Sequence, residues 1–392
     1  MSDTATIMGY GLIGCGNFGR FCLEQYADVD AIKRVAVADV DQQAARETAA
    51  RFGVAASASI EAMLDRPDVD LVHIATPPTT HKDIAMAALE AGKHVLCEKP
   101  LATNHADGRA MVEAATRTNR RLTVNLIMRY DPMCQAVKRI LEDHLLGDPL
   151  HAIFENYAKD EPLPPEHWFW DRARSGGIFV EHGVHFFDLF EMWFGPGQVR
   201  AAQQSIRPRS NGIVEQVNCT VAYGPTVLAN FYHGFHQTER MDRQEIRIVC
   251  ERGTMLLFDW VPTRMAIDCM VDENRLERLN AILPQAKLEQ LDSYGGDSRR
   301  VTSRHKTYDV DGRFRISANM GLSKTKLYGQ VLRALIEDQL IAIRDPNHLC
   351  LVDEQNGLSC LEIATWADKL ARGLSFDERQ MKQTDQVHAK RS

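Results

Sequence analysis

Residues 7–19 read IMGYGLIGCGNFG, a short apolar run that leads into three glycines spaced G-x-G-x-x-G. The apolar run Ile7–Ile13 predicts a β-strand, and Phe18–Tyr26 predicts a helix directly after the glycines. A strand, a glycine turn and a helix in this order are typical of the phosphate-binding unit of a Rossmann fold. We therefore predict that this part of the chain forms the first βαβ unit of a dinucleotide-binding domain.

Each of the three glycines has a separate role in this interpretation. Gly14 permits the tight turn after the strand, Gly16 lets the backbone approach a pyrophosphate, and Gly19 lets the helix pack closely on the strand. The start of the helix offers unpaired N–H groups and the positive end of its dipole to the phosphates. We expect these glycines, together with Asn17 and Phe18 between them, to bind the dinucleotide.

A second glycine register exists at Gly9, Gly11 and Gly14. This register would leave almost no strand before the loop, and it would put the glycine spacing inside the run Tyr10–Ile13. We therefore prefer the register that begins at Gly14.

A carboxylate follows the second predicted strand. Arg34–Ala38 reads as that strand, and Asp39 comes directly after it, 25 residues beyond Gly14. At this position a carboxylate would accept hydrogen bonds from the adenosine ribose hydroxyls and would repel a 2′-phosphate. NAD is therefore favoured over NADP. Two alternatives stay open, namely that Asp39 is only a turn residue and that Asp41 shares or takes over its role.

Short apolar runs continue to alternate with helical patterns up to residue 127, and we place a nucleotide-binding domain at residues 1–127. Thr80 is expected to cap one of the helices, and Gly92 follows the end of that helix. The remaining predicted elements of this domain are Val69–Ile74, Thr80–Ala91, His94–Glu98, Ala106–Thr118 and Leu122–Ile127.

The pattern changes in the second half of the chain, where we place an α+β domain at residues 128–375 and a polar tail at 376–392. Runs with period-two alternation follow one another without helices between them, which predicts an antiparallel sheet. Residues 262–320 are charged and weakly periodic, and we interpret them as an insertion. The runs are Val214–Tyr223, Val227–Phe235, Glu245–Cys250 and Thr254–Trp260, and two amphipathic helices follow at Lys324–Ile343 and Asp353–Ala371.

Length and charge restrict the class of protein. A chain of 392 residues exceeds what one hydrophobic core usually holds, so two domains are expected. The net charge of −7 and the interspersed basic residues do not favour nucleic acid as a partner. No stretch approaches the roughly 20 apolar residues of a membrane span, so we expect no membrane insertion.

The cysteines indicate a reducing compartment. There are nine of them, and none lies in a CxxC pair. Such scattered cysteines usually serve as small apolar residues. The apolar run near residue 7 has no basic region ahead of it, so no cleaved secretory signal is readable. We expect the protein in the cytoplasm.

The segment Val69–Thr103, VDLVHIATPPTTHKDIAMAALEAGKHVLCEKPLAT, carries a family resemblance. Together with GCGNFG at 14–19 and SGGIFVEHGVHFFD at 175–188, it resembles the glucose-fructose oxidoreductase, inositol dehydrogenase and MocA family. The resemblance implies an α/β Rossmann domain followed by an α+β domain with an open, mainly antiparallel sheet. It also implies sugars, cyclitols or their relatives as substrates, and a homodimer or homotetramer.

Three residues are expected to carry the chemistry. Oxidation of a secondary alcohol needs a base for its proton and a cation or donor for the developing oxyanion. By resemblance, Lys99 in the EKP motif is the catalytic lysine and His185 is the catalytic histidine and general base. Glu181 lies where the family usually has Asp, so we expect its contact with substrate or with His185 to differ from the usual arrangement.

Further residues are expected to bind the cofactor. In the family, the loop with Thr76 and Pro77 lies against the nicotinamide half, although these residues would equally stop a strand and start a helix. His81 is included, with a surface or capping role as the alternative. Glu98 would support the lysine or the cofactor ribose, unless Glu-Lys-Pro is a polar strand exit. Arg129 is placed to reach the domain cleft.

The substrate is expected to meet side chains from the start of the second domain as well. Tyr157 and Trp168 would contact a sugar ring, with packing as an equal alternative for the tryptophan. Asp188, one helical turn after His185, would either orient that histidine or lie on the helix surface. In this scheme the ammonium of Lys99 comes from one domain and the imidazole of His185 from the other.

Metal chemistry is not expected. The spacings His182-x-x-His185 and His233-x-x-His236 would suit zinc, but no cysteine pairs accompany them. In a strand, residues three apart also lie on opposite faces.

The sequence thus predicts an NAD-dependent oxidoreductase that transfers a hydride between a secondary alcohol of a sugar, cyclitol or sugar derivative and the nicotinamide. The alternatives are an enzyme with tightly bound, internally recycled NAD that acts on glycosides, and a non-catalytic sensor of a dinucleotide or sugar.

Overall fold

The computed structural model describes residues 7–160 and 162–374, so the predicted tail at 376–392 lies outside the described residues. The described chain forms two compact units, and each is discontinuous in sequence. The first comprises residues 7–130, 168–188 and 328–365, and the remaining residues form the second. The first unit therefore extends well beyond residue 127, the end that we expected for the nucleotide-binding domain.

A six-stranded parallel sheet forms the first unit's core, in the order β3-β2-β1-β4-β5-β6. All residues of β1 and β4 are buried, which explains why both strands are mainly apolar on both faces, with His73 in β4 as the exception. This sheet confirms the predicted Rossmann architecture. Its strands are β1 (Met8–Ile13), β2 (Ile32–Ala38), β3 (Ala55–Ala56), β4 (Leu71–Ile74), β5 (His94–Cys97) and β6 (Leu122–Val124).

Helices connect these strands and continue through the rest of the chain. They are α1 (Asn17–Gln25), α2 (Gln42–Phe52), α3 (Ile60–Leu64), α4 (His81–Glu90), α5 (His105–Thr118), α6 (Pro132–Glu142), α7 (Arg172–Ser175), α8 (Val184–Phe194), α9 (Glu273–Ile282), α10 (Lys324–Arg344) and α11 (Glu354–Ala371). None of the helices in the described residues combines the length and hydropathy that a membrane-spanning segment requires.

Two local predictions in the first unit are wrong. The Thr80 side chain makes no capping hydrogen bond at the start of α4. Its hydroxyl oxygen instead lies 2.7 Å from Thr76 Oγ1 and 2.9 Å from the Pro77 carbonyl oxygen, both in the loop before the helix. The last strand, predicted to reach residue 127, ends at Val124 because Ile127–Tyr130 forms a 3₁₀ turn.

A nine-stranded sheet forms the second unit, in the order β14-β17-β13-β12-β11-β7-β10-β9-β8. Its neighbouring strands are antiparallel except for β7 and β10, so the predicted open, mainly antiparallel sheet is confirmed. The strands are β7 (Pro149–Lys159), β8 (Gly197–Ile206), β9 (Val214–Tyr223), β10 (Val227–Gln237), β11 (Arg243–Cys250), β12 (Gly253–Phe258), β13 (Arg264–Val271), β14 (Lys287–Ser293) and β17 (Gly312–Asn319), and β15 (Arg300–Ser303) and β16 (Lys306–Asp309) pair as a separate hairpin.

Residues 262–320 are not an insertion beside the sheet, as we had interpreted them. They supply β13, β14 and β17, which extend the sheet at one edge. Strand β17 alternates strictly between buried and exposed positions. Its exposed arginines, Arg313 and Arg315, pair with Asp268 on the adjacent β13. The charges that obscured the pattern therefore belong to the solvent-facing side of a regular strand pair.

Asp131 caps α6 from a fully buried position. Its Oδ1 accepts hydrogen bonds from the backbone N–H groups of Met133 and Cys134 at 2.8 and 3.2 Å. Burial raises the pKa of Asp131 from 3.8 to about 7, although these hydrogen bonds lower it. The folded protein therefore holds a proton on this carboxyl more tightly than the unfolded chain does.

We expect Asp131→Asn to alter the pH dependence of stability. Because the folded-state pKa is raised, the contribution of Asp131 is present below about pH 4 and is lost as the pH rises through about 7. Asparagine cannot ionise and caps helices as well as aspartate does. Urea unfolding over this pH range should show a decline of up to roughly 4 kcal/mol in the original protein that the variant lacks.

Asp272, which caps α9 in the same unit, provides the control for this experiment. Burial raises its pKa, but hydrogen bonds from Arg275 outweigh that effect, so that its pKa is lowered overall. Asp272→Asn should therefore bring no gain in stability at high pH. Parallel pH profiles for Asp131→Asn and the original protein would contradict the prediction.

Candidate active site

The glycine turn between β1 and α1 has the geometry that its sequence predicted. Gly14 has a φ of 103°, and a Cβ on this residue would lie 2.4 Å from the carbonyl oxygen of Ala75. A Cβ on Gly19 would lie 2.1 Å from the carbonyl oxygen of Gly14. Neither position tolerates a side chain without movement of backbone. Gly9 and Gly11 lie inside β1, so the competing glycine register does not form the turn.

The start of α1 is open to a ligand. Gly16 is the N-cap residue and makes no side-chain cap, and the first turn contains no acidic residue. A Cβ on Gly16 would meet no atom within 4 Å, and Gly16 and Asn17 are exposed. These features fit a bound pyrophosphate. The Phe18 ring instead packs with Phe21 and Tyr328, so its side chain supports the helix start.

Asp39 is fixed at the edge of this turn. Its Oδ2 accepts a hydrogen bond from the backbone N–H of Cys15 at 2.7 Å, and its Oδ1 accepts one from the N–H of Asp41 at 2.8 Å. The Asp41 carboxylate in turn caps α2 by accepting from the N–H groups of Gln43 and Ala44. Asp41 therefore has a structural role of its own, and Asp39 is the carboxylate that adjoins the glycine turn.

His81 is a buried brace rather than a surface or cofactor-binding residue. Its Nδ1 lies 2.8 Å from the carbonyl oxygen of Pro100, and its Nε2 lies 2.9 Å from that of Thr76. Burial lowers its pKa, while these two carbonyls raise it. Both ring nitrogens thus face protein oxygens, and the side chain joins the loop after β4 to the loop after β5. In the first of these loops Thr76 is half-buried and Pro77 is exposed, as a ligand contact requires.

Glu98 is turned into the interior, where its carboxylate contacts side chains from neighbouring strands. It accepts hydrogen bonds at Oε1 from Asn125 Nδ2 at 2.7 Å, and His73 Nε2 lies 2.9 Å from the same atom. The other ring nitrogen of His73 contacts the hydroxyl of Tyr10. Sequence reasoning missed these three partners. The available signal was a histidine inside an otherwise apolar strand.

Lys99 meets Glu181 directly. Its ammonium lies 2.6 Å from Glu181 Oε1 and 2.9 Å from the Glu181 carbonyl oxygen. The two side chains are only 20% and 13% exposed. The contact of Glu181 is thus with the lysine, and the residue that departs from the usual family Asp forms a half-buried ion pair there.

A single π-helical turn, Phe179–Gly183, carries Glu181 into α8. Such turns are rare and occur often at functional sites. The turn follows Gly176, whose φ of 81° and contact with Val180 and the Thr103 carbonyl require glycine. This arrangement places Glu181 opposite Lys99, and it places His185 in the first turn of α8.

His185 is buried in the same compact unit as Lys99. Burial lowers its pKa strongly, and the charge of Lys99 and that of His182 lower it further. The imidazole is therefore neutral at ordinary pH, the form that can accept a proton. Residues 168–188, which contain His185, thus pack in the compact unit of Lys99, although they lie within the range 128–375 that we assigned to the second domain.

Arg129 forms a buried ion pair with Asp188 of α8. Its Nε donates to Oδ1 and Oδ2 of Asp188 at 2.9 and 3.0 Å. The side chains are 11% and 1% exposed. Burial raises the pKa of Asp188, and the guanidinium lowers it. Arg129 therefore anchors the helix that begins with His185 instead of extending towards a cofactor, and Asp188 does not lie on the helix surface.

The two aromatic candidates for substrate binding lie in different units. Tyr157, on β7 of the second unit, packs against Tyr232 and lies under the guanidinium of Arg243. Its hydroxyl donates to Glu155. Trp168 is half-buried in a short 3₁₀ turn, which packs in the first unit, the unit of Lys99.

The histidine pair on β10 does not converge on one point. His233 is buried against Phe154, whereas His236 Nε2 lies 2.7 Å from the hydroxyl of Tyr232. His182 packs against the ring of Phe186. Two other groups in the described residues have potential metal ligands near one another, namely Cys22, His73 and Glu98, and Asp338, His348 and Cys350.

Comparison with known protein families gives two adjacent matches. Residues 8–126 match the GFO/IDH/MocA oxidoreductase family with its NAD-binding Rossmann fold. Residues 134–256 match the C-terminal domain of the same family. The second match ends before β13, so the strands that extend the sheet edge lie beyond it.

Individual relatives agree with this family. D-apiose dehydrogenase from Paraburkholderia graminis is 33% identical over 198 residues, 50% of this chain and 52% of that protein. Inositol 2-dehydrogenase from Rhizobium meliloti is 31% identical over 186 residues, 47% of this chain and 54% of that protein. The matched region thus spans about half the length of these relatives.

A solved structure resembles this chain over most of its length. Levoglucosan dehydrogenase in complex with NADH and L-sorbose aligns with a TM-score of 0.75 over 94% of this chain and 97% of that one, at 20% identity. At that identity the likeness concerns the fold. The two family matches and the shared fold lead to one conclusion: the chain belongs to the GFO/IDH/MocA oxidoreductase family and has its NAD-binding Rossmann fold.

Proposed function

We propose that this protein is an NAD-dependent dehydrogenase that oxidises a secondary alcohol of a sugar, a cyclitol or a sugar derivative. The observation that carries the proposal is the pairing of Lys99 with Glu181 in the unit that also holds the buried, neutral His185. A cation and a neutral base near one another are the two groups that alcohol oxidation requires. The names of the relatives, which include dehydrogenases of apiose and inositol, support this substrate class.

Lys99, His185 and Glu181 each have a separate role in the oxidation of the alcohol. The ammonium of Lys99 donates a hydrogen bond to the substrate hydroxyl and stabilises negative charge on its oxygen. His185 takes the hydroxyl proton, and its lowered pKa keeps it neutral and ready to do so. Glu181 holds the ammonium in place before substrate enters. Bound NAD supplies the hydride acceptor.

Residues of the first unit would hold the dinucleotide. The open start of α1 at Gly16 suits the pyrophosphate, and the Asp39 carboxylate suits the ribose hydroxyls. Val40, which follows Asp39, is 90% exposed and brings no positive charge for a 2′-phosphate. We infer a preference for NAD over NADP.

Asp39→Asn should weaken this preference. The amide keeps an oxygen for one of the two backbone N–H groups that Asp39 accepts, those of Cys15 and Asp41, but it loses the charge that strengthens ribose binding and repels a 2′-phosphate. Charge-assisted hydrogen bonds contribute about 1.5 to 3 kcal/mol, so the ratio of NADPH to NADH affinity should rise at least about tenfold. Fluorescence titration with both nucleotides measures the two dissociation constants.

Asp41→Ser is the matched control for that experiment. It removes a charge two residues away and keeps an oxygen to cap α2. The affinity ratio should stay within about twofold of the original protein, since small surface changes have small effects. Equal ratios for Asp39→Asn and the unaltered protein would refute the role of Asp39.

A spectrophotometric screen tests the function itself. The full chain is mixed with NAD or with NADP and with a panel that includes myo-inositol, levoglucosan, D-apiose, other polyols and aldoses, and simple glycosides. NADH should form with at least one sugar or cyclitol. Absence of NADH across the panel, or product formation without net NADH, would contradict the proposal.

A further inference from the structure

A chain of four buried side chains crosses four neighbouring strands of the parallel sheet. Tyr10 lies on β1 and His73 on β4, Glu98 follows β5, and Asn125 follows β6. The Tyr10 hydroxyl is 2.7 Å from His73 Nδ1, and His73 Nε2 is 2.9 Å from Glu98 Oε1. Asn125 Nδ2 donates to the same Glu98 oxygen at 2.7 Å. We name this set the buried polar chain.

The positions of the protons in the buried polar chain follow from which of its side chains can donate and which can accept. Burial raises the pKa of Tyr10, so its hydroxyl stays protonated and can donate to His73 Nδ1. His73 Nε2 then carries the ring proton and donates to the Glu98 carboxylate. Each ring nitrogen has one partner, and a neutral imidazole satisfies both. Hydrogen bonds thus link the four side chains to one another, and linked buried groups restrict the movement of the structure around them.

The buried polar chain includes Glu98, the residue directly before Lys99. The backbone at Glu98 remains paired with the sheet, since its N–H donates to the Ile74 carbonyl at 2.9 Å. A bend follows at Lys99 and Pro100. Because His73 and Asn125 hold the Glu98 side chain inside, they fix the backbone from which Lys99 extends, and the Lys99 ammonium contacts Glu181.

We propose that His73 is a positioning residue for Lys99, acting through its hydrogen bond to Glu98. This inference rests on the proposed function, in which Lys99 holds the reacting oxygen. No atom of His73 needs to touch substrate or cofactor. Through Glu98, His73 sets the direction in which the polypeptide backbone leaves β5.

A metal ion would be the competing explanation of the same cluster. The Cys22 thiol lies near His73 and Glu98, and the three potential ligand atoms are within 4.8 Å of one another. However, both nitrogens of His73 are already at hydrogen-bonding distance from Tyr10 and Glu98. A metal would require the imidazole to give up at least one of these contacts. Hydrogen bonding therefore accounts for the cluster.

The direct test is the reactivity of Lys99 in the full chain without substrate. Trace labelling with acetic anhydride and mass spectrometry gives the labelling rate of Lys99 relative to Lys82, a partly exposed lysine on α4. In His73→Leu the ratio should rise at least about fivefold, because Lys99 is released from Glu181. His73→Gln, whose amide can donate to Glu98 and accept from Tyr10, should restore the original ratio.

Turnover and cofactor binding supply the second readout. With the best substrate of the screen, kcat of His73→Leu should fall about 10- to 100-fold, as misplacement by about 1 Å can cause. The dissociation constant of NADH should stay within about twofold, and His73→Gln should recover most of kcat. A lowered melting temperature with unchanged Lys99 labelling and unchanged kcat would show a purely structural role and overturn the inference.

Two further outcomes separate the inference from the proposed function. If Lys99→Met stays active, the proposed function fails, whereas an inactive Lys99→Met beside an unaltered His73→Leu overturns only the inference.

Stoichiometric metal in the purified protein, lost in Cys22→Ser, would also overturn the inference. Should His73→Leu fail to fold, Tyr10→Phe and Glu98→Gln test the same chain, and unchanged Lys99 labelling in both would overturn the inference.

Discussion

Lys99→Met should lower kcat for NADH formation by about 10²- to 10³-fold. Methionine keeps the length and most of the volume of lysine but carries no charge. The developing oxyanion then loses the cation that the Glu181 pair holds in place, and loss of one such donor commonly costs this factor. Steady-state rates with the best substrate of the screen measure the effect. NADH binding should change little, within about twofold, since the cofactor loop is not altered.

Lys82→Met is the matched control for this substitution. Lys82 lies on α4 and forms a partly exposed ion pair with Asp107, and pairs near the surface contribute little. Its removal should leave kcat within about twofold. If Lys99→Met and Lys82→Met have the same rates, Lys99 does not act at the reacting oxygen, and the proposed mechanism is wrong.

Arg129→Met should destabilise the fold by about 3 to 5 kcal/mol. The substitution leaves the fully buried carboxylate of Asp188 without its guanidinium partner, and breaking one side of a buried ion pair costs this much. Burial already raises the pKa of Asp188 with Arg129 present, and without the arginine it should rise further. The variant should therefore lose stability as the pH rises. Urea unfolding at about pH 6 and about pH 8 measures both effects.

Two controls accompany this prediction. Arg109→Met removes an exposed pair with Glu113, whose side chains are 63% and 68% exposed, and should cost less than about 1 kcal/mol. The double variant Arg129→Met with Asp188→Leu removes both buried charges and should recover part of the stability. If Arg129→Met lowers the free energy of unfolding no more than Arg109→Met does, the buried ion pair contributes no more to stability than the exposed one.

The sequence predicted the sheet architecture because the strands of the first unit are short, mainly apolar runs and the turn glycines have no substitutes. Gly14 needs a left-handed backbone next to the Ala75 carbonyl, and Gly19 has no room for a Cβ. Strands of the second sheet were predicted for a related reason, since a strand such as β9 alternates between more and less buried residues. Strand β17 alternates as well, but the charges around it obscured the pattern. Local pattern is therefore sufficient for strands of the first kind.

Long-range contacts set the limit of that reasoning. Glu98 turns inwards because of His73 and Asn125, which are 25 and 27 residues away, and neither residue is marked as a partner by spacing. Arg129 pairs with Asp188, 59 residues later, because residues 168–188 return to the first unit. The local sequence pattern does not indicate that a later segment packs back into the first unit.

The central claim is that Lys99 and His185 act on the same alcohol oxygen. A double-mutant cycle on single-turnover NADH formation tests it most directly, with Lys99→Met, His185→Ala and the double variant. Groups that act as one unit have strongly non-additive effects. We predict that the double variant is no more than about threefold slower than the slower single variant. Rates that multiply, so that the double loss equals the product of the two single losses, would contradict the account.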